Sequence, residues 1–324
     1  MARFKVVVVS LGYASYATER EILNPIGAEL VLAASDCLTE DAVVAAGCGA
    51  DAILVREAPI SARVIDALQP RLRAIVRYGV GVDNIDLAHA RERRVYVANI
   101  PGYGTEEVSD HAAALLLACI RSLRTRDELL RAGRFETDIQ GSIFRTTGKV
   151  LGLLGYGRIG SALHRKWQGF QPSRVLVYDP AVPAEQIRAA GAEPVDLDTL
   201  FAESDYLSLH APLTPQTRHV VNAASLGRMK PTSVVVNTAR GELIDEAALA
   251  AALKAGALRA AGLDVFEREP LPADHPLLSA PNTILTGHVG WYSLDAVKEL
   301  QTRGAREVAR VLSGQVPECW VNRW

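Results

Sequence analysis

A chain of 324 residues with 49% hydrophobic and 22% charged residues is too long for one typical domain and too apolar to be disordered. Its formal net charge of −2 at pH 7 gives no reason to expect a nucleic acid or an anionic membrane as a partner. Its four cysteines show no C-x-x-C spacing and no long apolar run occurs, so we predict a cytoplasmic protein with no metal site and no membrane span.

Residues 1–100 alternate short apolar strands with helical stretches. The near-continuous Val, Ile and Leu in these strands indicates a parallel sheet that is buried on both faces. The predicted strands cover residues 5–9, 29–33, 52–55, 72–76 and 95–98, and helices are predicted near residues 19–26, 39–46, 61–67 and 86–93.

The informative loop of this first part follows its fourth strand and begins at Arg77. Ligands of open α/β sheets bind beyond the carboxyl ends of the strands. Gly79 and Gly81 would expose backbone N–H groups there as a small anion nest, with Arg77 beside them. Arg77, Val80 and Gly81 are therefore candidates for substrate binding. The alternative is an ordinary glycine turn with a surface arginine.

A long helix is predicted after Pro101-Gly102, which we take as the first domain boundary. Thr105 is the expected N-cap of this helix. Residues 112–120 are apolar nearly all round, which indicates burial between layers or between subunits. His111 lies on the same helix and is more easily explained as a structural residue than as a catalytic one.

The strongest motif is GYGRIG at residues 155–160, between an apolar strand and a predicted helix. In this G-x-G-x-x-G pattern Gly155 permits a tight turn, Gly157 lets the backbone approach a pyrophosphate, and Gly160 lets the helix pack closely on the strand. A second apolar strand ends in Asp179, about 20 residues further on, where an adenosine ribose would be hydrogen-bonded. A carboxylate at this position would repel a 2′-phosphate, so the pattern predicts NAD rather than NADP.

Polar residues follow each later strand at the edge where a cofactor would bind. The strands are predicted at residues 206–210, 233–237, 260–263 and 283–286, and they run into the segments APLT, TARG, DVF and GHVG. A last helix, near residues 295–312, is expected to return to the first domain. The resulting domains are residues 1–100 plus 291–324 for the substrate, and residues 101–290 for NAD.

Hydride transfer to a carbonyl needs a proton donor and a charge that orients the substrate. His288 is the natural acid and base of these strand ends, and Glu269 could hold it as an imidazolium. Arg240 offers a planar fork for a carboxylate. Structural ion pairs are the alternative for each residue alone. No nucleophile–base motif and no carboxylate-rich metal cluster is evident.

These segments resemble the D-specific 2-hydroxyacid dehydrogenase family. The resemblance is carried by LGLLGYGRIG with Asp179, HAPLTPQT at residues 210–217, VNTARGELID at residues 236–245, GLDVFEREP at residues 262–270 and the His288 segment. It implies an α/β fold of two Rossmann- or flavodoxin-like doubly wound parallel-sheet domains with a cleft between them. It also implies a homodimer formed through the nucleotide-binding domain and the long helix after Gly104.

The resemblance also implies site roles. Arg240 would bind the substrate carboxylate, His288 would exchange the proton while paired with Glu269, and Asp264 would meet the nicotinamide carboxamide. The residues implied to line the NAD are Arg158, Ile159, Ala211, Pro212, Thr217, Thr238 and Ala239.

Within the family, RYGVGVDNID at residues 77–86 and HVGWYS at residues 288–293 look most like the C-terminal-binding-protein branch. The positions of Arg77 and Trp291 contact a 2-oxo acid in that branch, and Trp291 would add an apolar wall that favours a side chain larger than methyl. Gly287 departs from the usual proline, which would loosen the backbone before His288. An NAD(H)-sensing scaffold is the main alternative to an enzyme. Formate-type hydride transfer fits less well because it has no use for Glu269.

Overall fold

The computed structural model describes residues 3–135 and 143–324 of the chain. These residues form two compact units. Unit 1 comprises Met1–Tyr103 and Ser293–Trp324, and unit 2 comprises Gly104–Tyr292. Within the described ranges, no helix combines the length and the apolar character that a membrane crossing needs.

Unit 1 is built on a five-stranded sheet in the order β2-β1-β3-β4-β5, and its paired strands are parallel. Its strands are β1 (Phe4–Val8), β2 (Ala28–Leu32), β3 (Ala52–Val55), β4 (Ala74–Arg77) and β5 (Tyr96–Ala98). The helices of its first segment are α1 (Ala17–Leu23), α2 (Glu40–Gly47), α3 (Ala62–Ala67) and α4 (Leu87–Glu92). This is the flavodoxin-like order, whose switch point lies between β1 and β3.

Unit 2 contains a seven-stranded parallel sheet in the order β12-β11-β10-β9-β6-β7-β8. The strands are β6 (Val150–Leu154), β7 (Arg174–Tyr178), β8 (Glu193–Pro194), β9 (Tyr206–Leu209), β10 (Val234–Asn237), β11 (Ala260–Leu263) and β12 (Thr283–Leu285). The helices are α5 (Thr105–Ile120), α6 (Leu123–Arg131), α7 (Arg158–Trp167), α8 (Ala184–Ala189), α9 (Leu197–Glu203), α10 (Ala223–Leu226) and α11 (Glu246–Lys254). The order of β6 to β11 is that of a Rossmann sheet, with its switch point between β6 and β9.

The chain returns to unit 1 through helix α12 (Leu294–Leu312), which packs on α1 and β4. The buried Glu19 of α1 joins these elements, because it accepts hydrogen bonds from the Tyr78 hydroxyl at 2.7 Å and from the Gln301 amide at 3.0 Å. Tyr78 directly follows β4, so the network fixes the start of the loop that comes after Arg77.

Short polar side chains set the starts of many helices by accepting a hydrogen bond from the first turn. The residues that do so include Thr39, Ser61, Asp86, Asp196, Asp245 and Ser293. The prediction for α5 was wrong: its N-cap is Gly104, without a side-chain bond, and Thr105 is its first helical residue. Glu106 and Glu107 still lie in the first turn, where the helix dipole favours negative charge.

The predicted fold class is confirmed. Both sheets are parallel, and the strands at their centres are fully buried because each sheet has helices on its two faces. In unit 2 two separate hydrophobic clusters cover the opposite faces of the sheet, and α5 contributes to one of them through Leu116 and its neighbours. The carboxyl ends of the strands therefore emerge together at one edge of each unit, where ligands of such sheets bind.

Candidate functional site

The glycine turn after β6 is packed against the end of β9. A Cβ atom on Gly155, whose φ is +95°, would lie 2.6 Å from the backbone nitrogen of Ala211. One on Gly160 would lie 2.3 Å from the Gly155 carbonyl oxygen, whereas one on Gly157 would meet nothing within 4 Å. The first and third glycines are thus required by close backbone contacts, and Gly157 leaves its surroundings open for a ligand at the N-terminus of α7.

Asp179 follows β7 and supports this turn. One of its carboxylate oxygens accepts a hydrogen bond from the Tyr156 backbone N–H at 2.7 Å, and the other accepts one from Ala181 at 2.9 Å. Each oxygen has a further lone pair, so the half-buried carboxylate can still accept bonds from a ribose. The acidic residue therefore both orients the glycine turn and offers acceptors beside it.

The loop after β9 is closed by its own threonines. The Thr217 hydroxyl donates to the Pro212 carbonyl at 2.7 Å and accepts from the Thr214 N–H at 2.8 Å. At the start of the loop, burial lowers the pKa of His210 to about 3, so this imidazole is neutral at neutral pH. Its Nε2 lies 2.9 Å from the Ser208 hydroxyl.

Thr238, after β10, has a buried hydroxyl with no hydrogen-bond partner among the described residues. A buried polar atom without a partner is costly, so it indicates a group that a ligand would satisfy. Together with the open face of Gly157, this atom fits a dinucleotide along the edge. The other residues predicted to line the cofactor lie at the same carboxyl ends of the unit 2 sheet: Arg158, Ile159, Ala211 and Ala239.

Arg240 is held by the loop that follows β10. Its Nη1 donates to the Ala239 carbonyl at 2.7 Å, and its own carbonyl accepts from the Asn237 amide at 2.8 Å. The next residue, Gly241, presses on the loop after β11, because a Cβ there would lie 1.9 Å from the Phe266 carbonyl carbon. The loops that contain Arg240 and Glu269 are therefore in direct backbone contact.

His288 and Glu269 form a hydrogen-bonded pair, with 2.7 Å between Nδ1 and a carboxylate oxygen. The other Glu269 oxygen accepts from the Phe266 N–H at 3.0 Å. Burial alone would raise the pKa of Glu269, but the hydrogen bond and charge of His288 outweigh it and hold this pKa below its usual value. The carboxylate is therefore ionised at neutral pH and fixes the imidazole with Nε2 as its free nitrogen.

The backbone of His288 is left-handed, with φ of +57°, which is uncommon for a residue with a side chain. Asp264 stabilises this conformation through hydrogen bonds to the backbone of the turn. Its carbonyl accepts from the His288 N–H at 2.7 Å, and its carboxylate accepts from the N–H groups of Val289 at 3.0 Å and Gly290 at 2.8 Å. The position of His288 is thus set by Asp264 rather than by Gly287.

Two further side chains bind the Asp264 carboxylate. The Thr286 hydroxyl donates to it at 2.6 Å, and His111 of α5 lies 2.9 Å from that hydroxyl and 3.4 Å from the carboxylate. Burial raises the pKa of Asp264, yet the hydrogen bonds from His111, Thr286 and the backbone lower it overall. His111 therefore supports the turn that contains His288, a contact that the sequence did not indicate.

Trp291 also contacts this turn, because its indole N–H donates to the His288 carbonyl at 3.0 Å. Its ring stands edge-on to Tyr292, with 5.7 Å between the ring centroids. Trp291, which is predicted to form an apolar wall, thus also binds the carbonyl of His288, the residue with the left-handed backbone.

The loop after β4 in unit 1 differs from the predicted anion nest. The Gly79 N–H donates to the Arg77 carbonyl at 2.9 Å, so it is already used within the loop. The Gly79 carbonyl accepts from Ile100, and the Asn99 amide donates to the Val80 carbonyl at 2.7 Å. A Cβ on Gly79 would overlap the guanidinium of Arg77, which therefore lies directly over this glycine.

The structure brings together the predicted residues of unit 2 at one edge of its sheet: Arg240, Asp264, Glu269 and His288, beside the glycine turn. Arg77, Val80 and Gly81 belong to unit 1, at the carboxyl edge of its own sheet. Among the described residues, no group of three or more His, Cys, Asp or Glu side chains is arranged to hold a metal.

Comparison with known proteins identifies the family. Residues 113–290 match the model of the D-isomer specific 2-hydroxyacid dehydrogenase NAD-binding domain. The chain is 40% identical over 268 residues to a glyoxylate reductase of Korarchaeum cryptofilum, covering 82% of this chain and 80% of that one. It is 41% identical over 255 residues to a hydroxypyruvate reductase of Thermotoga maritima, covering 77% and 81%.

A solved structure agrees over almost the whole chain. D-lactate dehydrogenase of Aquifex aeolicus, complexed with NAD and lactic acid, matches with a TM-score of 0.87 and 27% identity, covering 98% of this chain and 99% of that one. The chain therefore belongs to the D-isomer specific 2-hydroxyacid dehydrogenase family. It is an NAD-binding oxidoreductase of that family.

Proposed function

We propose that this protein interconverts a 2-oxo acid and a D-2-hydroxy acid with NAD as the hydride carrier. The observation that supports this most directly is the 2.7 Å pair of His288 and Glu269, at the edge of unit 2 that also presents Arg240 and the glycine turn. A proton donor, a cation for a carboxylate and a dinucleotide turn are the three requirements of this reaction.

In the reduction direction His288 gives a proton from Nε2 to the developing alkoxide, and in oxidation it takes that proton back. Glu269 binds Nδ1 at 2.7 Å, so the ring keeps one orientation and Nε2 is the nitrogen that exchanges the proton. Arg240 binds the substrate carboxylate and carbonyl oxygen through its planar fork. When bound at these residues, NADH would supply the hydride for reduction and NAD would accept it in oxidation.

The cofactor is held by the residues that fit it structurally. Gly155, Gly157 and Gly160 admit the pyrophosphate to the start of α7, where Arg158 and Ile159 lie, and Asp179 accepts bonds from the adenosine ribose. Thr238 supplies its unpartnered hydroxyl. Ala211, Pro212, Thr217 and Ala239 line the remaining strand ends. Asp264 is predicted to contact the nicotinamide carboxamide. Its carboxylate also accepts hydrogen bonds from Thr286, Val289 and Gly290.

We assign substrate binding to residues 1–100 plus 291–324, and NAD binding to residues 101–290. In the first region Arg77, Val80 and Gly81 are the proposed substrate contacts, together with Trp291. The RYGVGVDNID and HVGWYS segments favour the C-terminal-binding-protein branch, and Trp291 favours substrates larger than glyoxylate. The relatives named glyoxylate reductase and hydroxypyruvate reductase make small 2-oxo acids the first compounds to test.

The experiment that tests this function follows NADH oxidation with a panel of 2-oxo acids. The panel runs from glyoxylate, pyruvate and hydroxypyruvate to branched, aromatic and phosphorylated members. Turnover with one group of related acids, and formation of the D-hydroxy acid, would support the proposal. Tight NADH binding without turnover of any member would instead favour a cofactor-sensing scaffold.

Asp179→Ala is expected to reduce the preference for NADH over NADPH, because the carboxylate that would repel a 2′-phosphate is removed. The measurement is the ratio of kcat/KM with the two cofactors. Asp179→Asn is the matched control, because its amide oxygen can still accept from the Tyr156 N–H and preserve the turn. A ratio unchanged in both variants would show that the ribose is recognised elsewhere.

We also propose that the protein forms a homodimer through unit 2. Helix α6 has no buried residue, and its Leu123 and Leu130 are 54% and 58% exposed, followed by Phe135 at 83%. Exposed apolar side chains grouped in this way are typical of an interface. Leu130→Glu is expected to lower the molar mass in light scattering from that of a dimer to that of a monomer. An equal molar mass for the parent protein and for Leu130→Glu would exclude helix α6 from the interface.

A further inference from the structure

The buried Glu246 of unit 2 belongs to none of the groups that we assign to catalysis or to NAD. It is the first residue of helix α11 and is only 5% exposed. A carboxylate that is removed from water is costly unless its oxygens accept hydrogen bonds. The partners of Glu246 therefore indicate what this side chain does.

Both oxygens of the Glu246 carboxylate bind the same loop, which follows strand β11. Oε1 accepts from the Glu267 backbone N–H at 2.9 Å, and Oε2 lies 3.0 Å from Nε2 of His275. Nδ1 of His275 accepts from the Leu277 N–H at 3.4 Å, so Nε2 carries the proton that is donated to Glu246. One side chain thus fastens the two ends of segment 267–275.

Glu269 lies inside this closed segment, just after its first attachment point. Residues 267–270 and 273–274 are exposed, so the segment buries little surface of its own. Leu271 packs against the core of unit 2, and Glu269 accepts from the Phe266 N–H at 3.0 Å. A segment with so little burial keeps its path mainly through the bonds at its two ends.

The side chain of Glu267 strengthens the first attachment. Its carboxylate accepts from the Glu246 backbone N–H at 3.3 Å, so each of the two glutamates binds the backbone of the other. The same carboxylate lies 3.2 Å from Nε2 of His219, which belongs to the loop after β9. The start of the segment is thereby connected to helix α11 and to a second loop of unit 2.

We propose that Glu246 is a positioning residue of the reaction, because its carboxylate closes segment 267–275 and thereby keeps the Glu269 carboxylate 2.7 Å from Nδ1 of His288. This inference rests on the proposed function, since Glu246 acts through the proposed acid–base pair. Misplacing a catalytic group by about 1 Å can cost about 10²-fold in rate. The effect of Glu246 on the rate must therefore disappear when Glu269 has no carboxylate to position.

The test is a double-mutant cycle between Glu246 and Glu269, with kcat for reduction of the best 2-oxo acid of the panel as the readout. Glu246→Ala is expected to lower kcat about 10- to 10²-fold in the parent protein. In Glu269→Ala the same substitution should change kcat by no more than about 2-fold, which is the additivity error of such cycles. The dissociation constant of NADH, followed by fluorescence, should stay within the same range in Glu246→Ala.

His275→Ala tests the second attachment alone and keeps the proposal testable if Glu246→Ala folds poorly. It leaves the bond between Glu246 and the Glu267 N–H in place. We expect kcat to fall about 2- to 10-fold, as for one lost hydrogen bond, and this fall should also vanish in Glu269→Ala. Urea unfolding of every variant establishes that the comparison is made between folded proteins.

Glu307→Ala is the matched control. Glu307 is 4% exposed and accepts from the backbone N–H groups of Glu318 at 2.9 Å and Cys319 at 3.0 Å, but it belongs to α12 of unit 1. Its loss of stability in urea should resemble that of Glu246→Ala, whereas its kcat should not change.

Two results would overturn the positioning role while leaving the dehydrogenase intact. One is an unchanged kcat in folded Glu246→Ala, and the other is a loss of kcat that is equally large in the parent protein and in Glu269→Ala. If the parent protein reduced no 2-oxo acid at all, the proposed function itself would fail, and this role with it.

Discussion

His288→Ala is expected to lower kcat for 2-oxo acid reduction by about 10²–10⁴-fold, which is the usual contribution of a positioned general acid. The reason is that Glu269 binds Nδ1 at 2.7 Å and leaves Nε2 as the nitrogen that can deliver the proton. The KM for the 2-oxo acid should change less, because Arg240, the proposed ligand of the substrate carboxylate, is unchanged in this variant. Single-turnover measurement of NADH oxidation separates the chemical step from binding.

His89→Ala is the matched control, because His89 also contacts a carboxylate, Asp66 at 2.9 Å, but lies on α4 of unit 1. Its kcat should be unchanged. Glu269→Gln supplies a second comparison, since it keeps an acceptor for the Phe266 N–H but removes the charge beside the imidazole. Activity near that of the parent protein in His288→Ala would mean that another group delivers the proton.

The pH dependence follows from the carboxyl group of this pair. The pKa of Glu269 is lower in the folded protein than in the unfolded chain. The ionised carboxylate therefore stabilises the folded protein at pH values above the unfolded-state pKa, and this stabilisation is lost as the pH falls through the folded-state pKa. The pair is therefore intact at neutral pH. Loss of activity through protonation of Glu269 should begin only at a pH below the usual range of a glutamic acid.

Most of the fold was predictable from local patterns. Continuous apolar runs identified every strand that borders the site, because a parallel sheet covered by helices leaves no polar face. Strands β3 and β11 have the predicted bounds, and β1, β2, β4, β5, β9, β10 and β12 differ by one or two residues at an end, whereas the two-residue β8 was not predicted. The error at Thr105 has a local cause, since the backbone of Gly104 already occupies the capping position.

The site was predictable only in part, because its side chains are held in position by residues that lie far away in the sequence. His288 and Glu269 were paired correctly, but the left-handed backbone of His288 and its fixation by Asp264 depend on contacts that no spacing encodes. The prediction of an anion nest at Gly79 was wrong, because the Gly79 N–H already donates to the Arg77 carbonyl within the loop.

Gly241→Ala is expected to reduce kcat/KM by about 10²-fold or more, because the loops that contain the proposed catalytic residues Arg240 and Glu269 can no longer keep their close backbone contact. The new Cβ would lie 1.9 Å from the Phe266 carbonyl carbon and 2.3 Å from the Glu267 nitrogen, so backbone must move by roughly 1 Å to relieve the overlap. Phe266 donates to Glu269, so this displacement carries the carboxylate away from its place beside His288. Overpacking of this kind also costs about 1–3 kcal/mol of stability.

Gly169→Ala is the control for the methyl group itself, since a Cβ at Gly169 meets nothing within 4 Å and its backbone is not left-handed. Both variants are measured by urea unfolding and by kcat/KM at a temperature well below the Tm of the weaker one. The contact predicts that Gly241→Ala loses activity even where it is fully folded, because the spacing of Arg240 and Glu269 is set by backbone rather than by side chains. Full activity in the folded variant would show that these loops adjust independently, and that the Arg240 fork and the His288–Glu269 pair do not act as one unit.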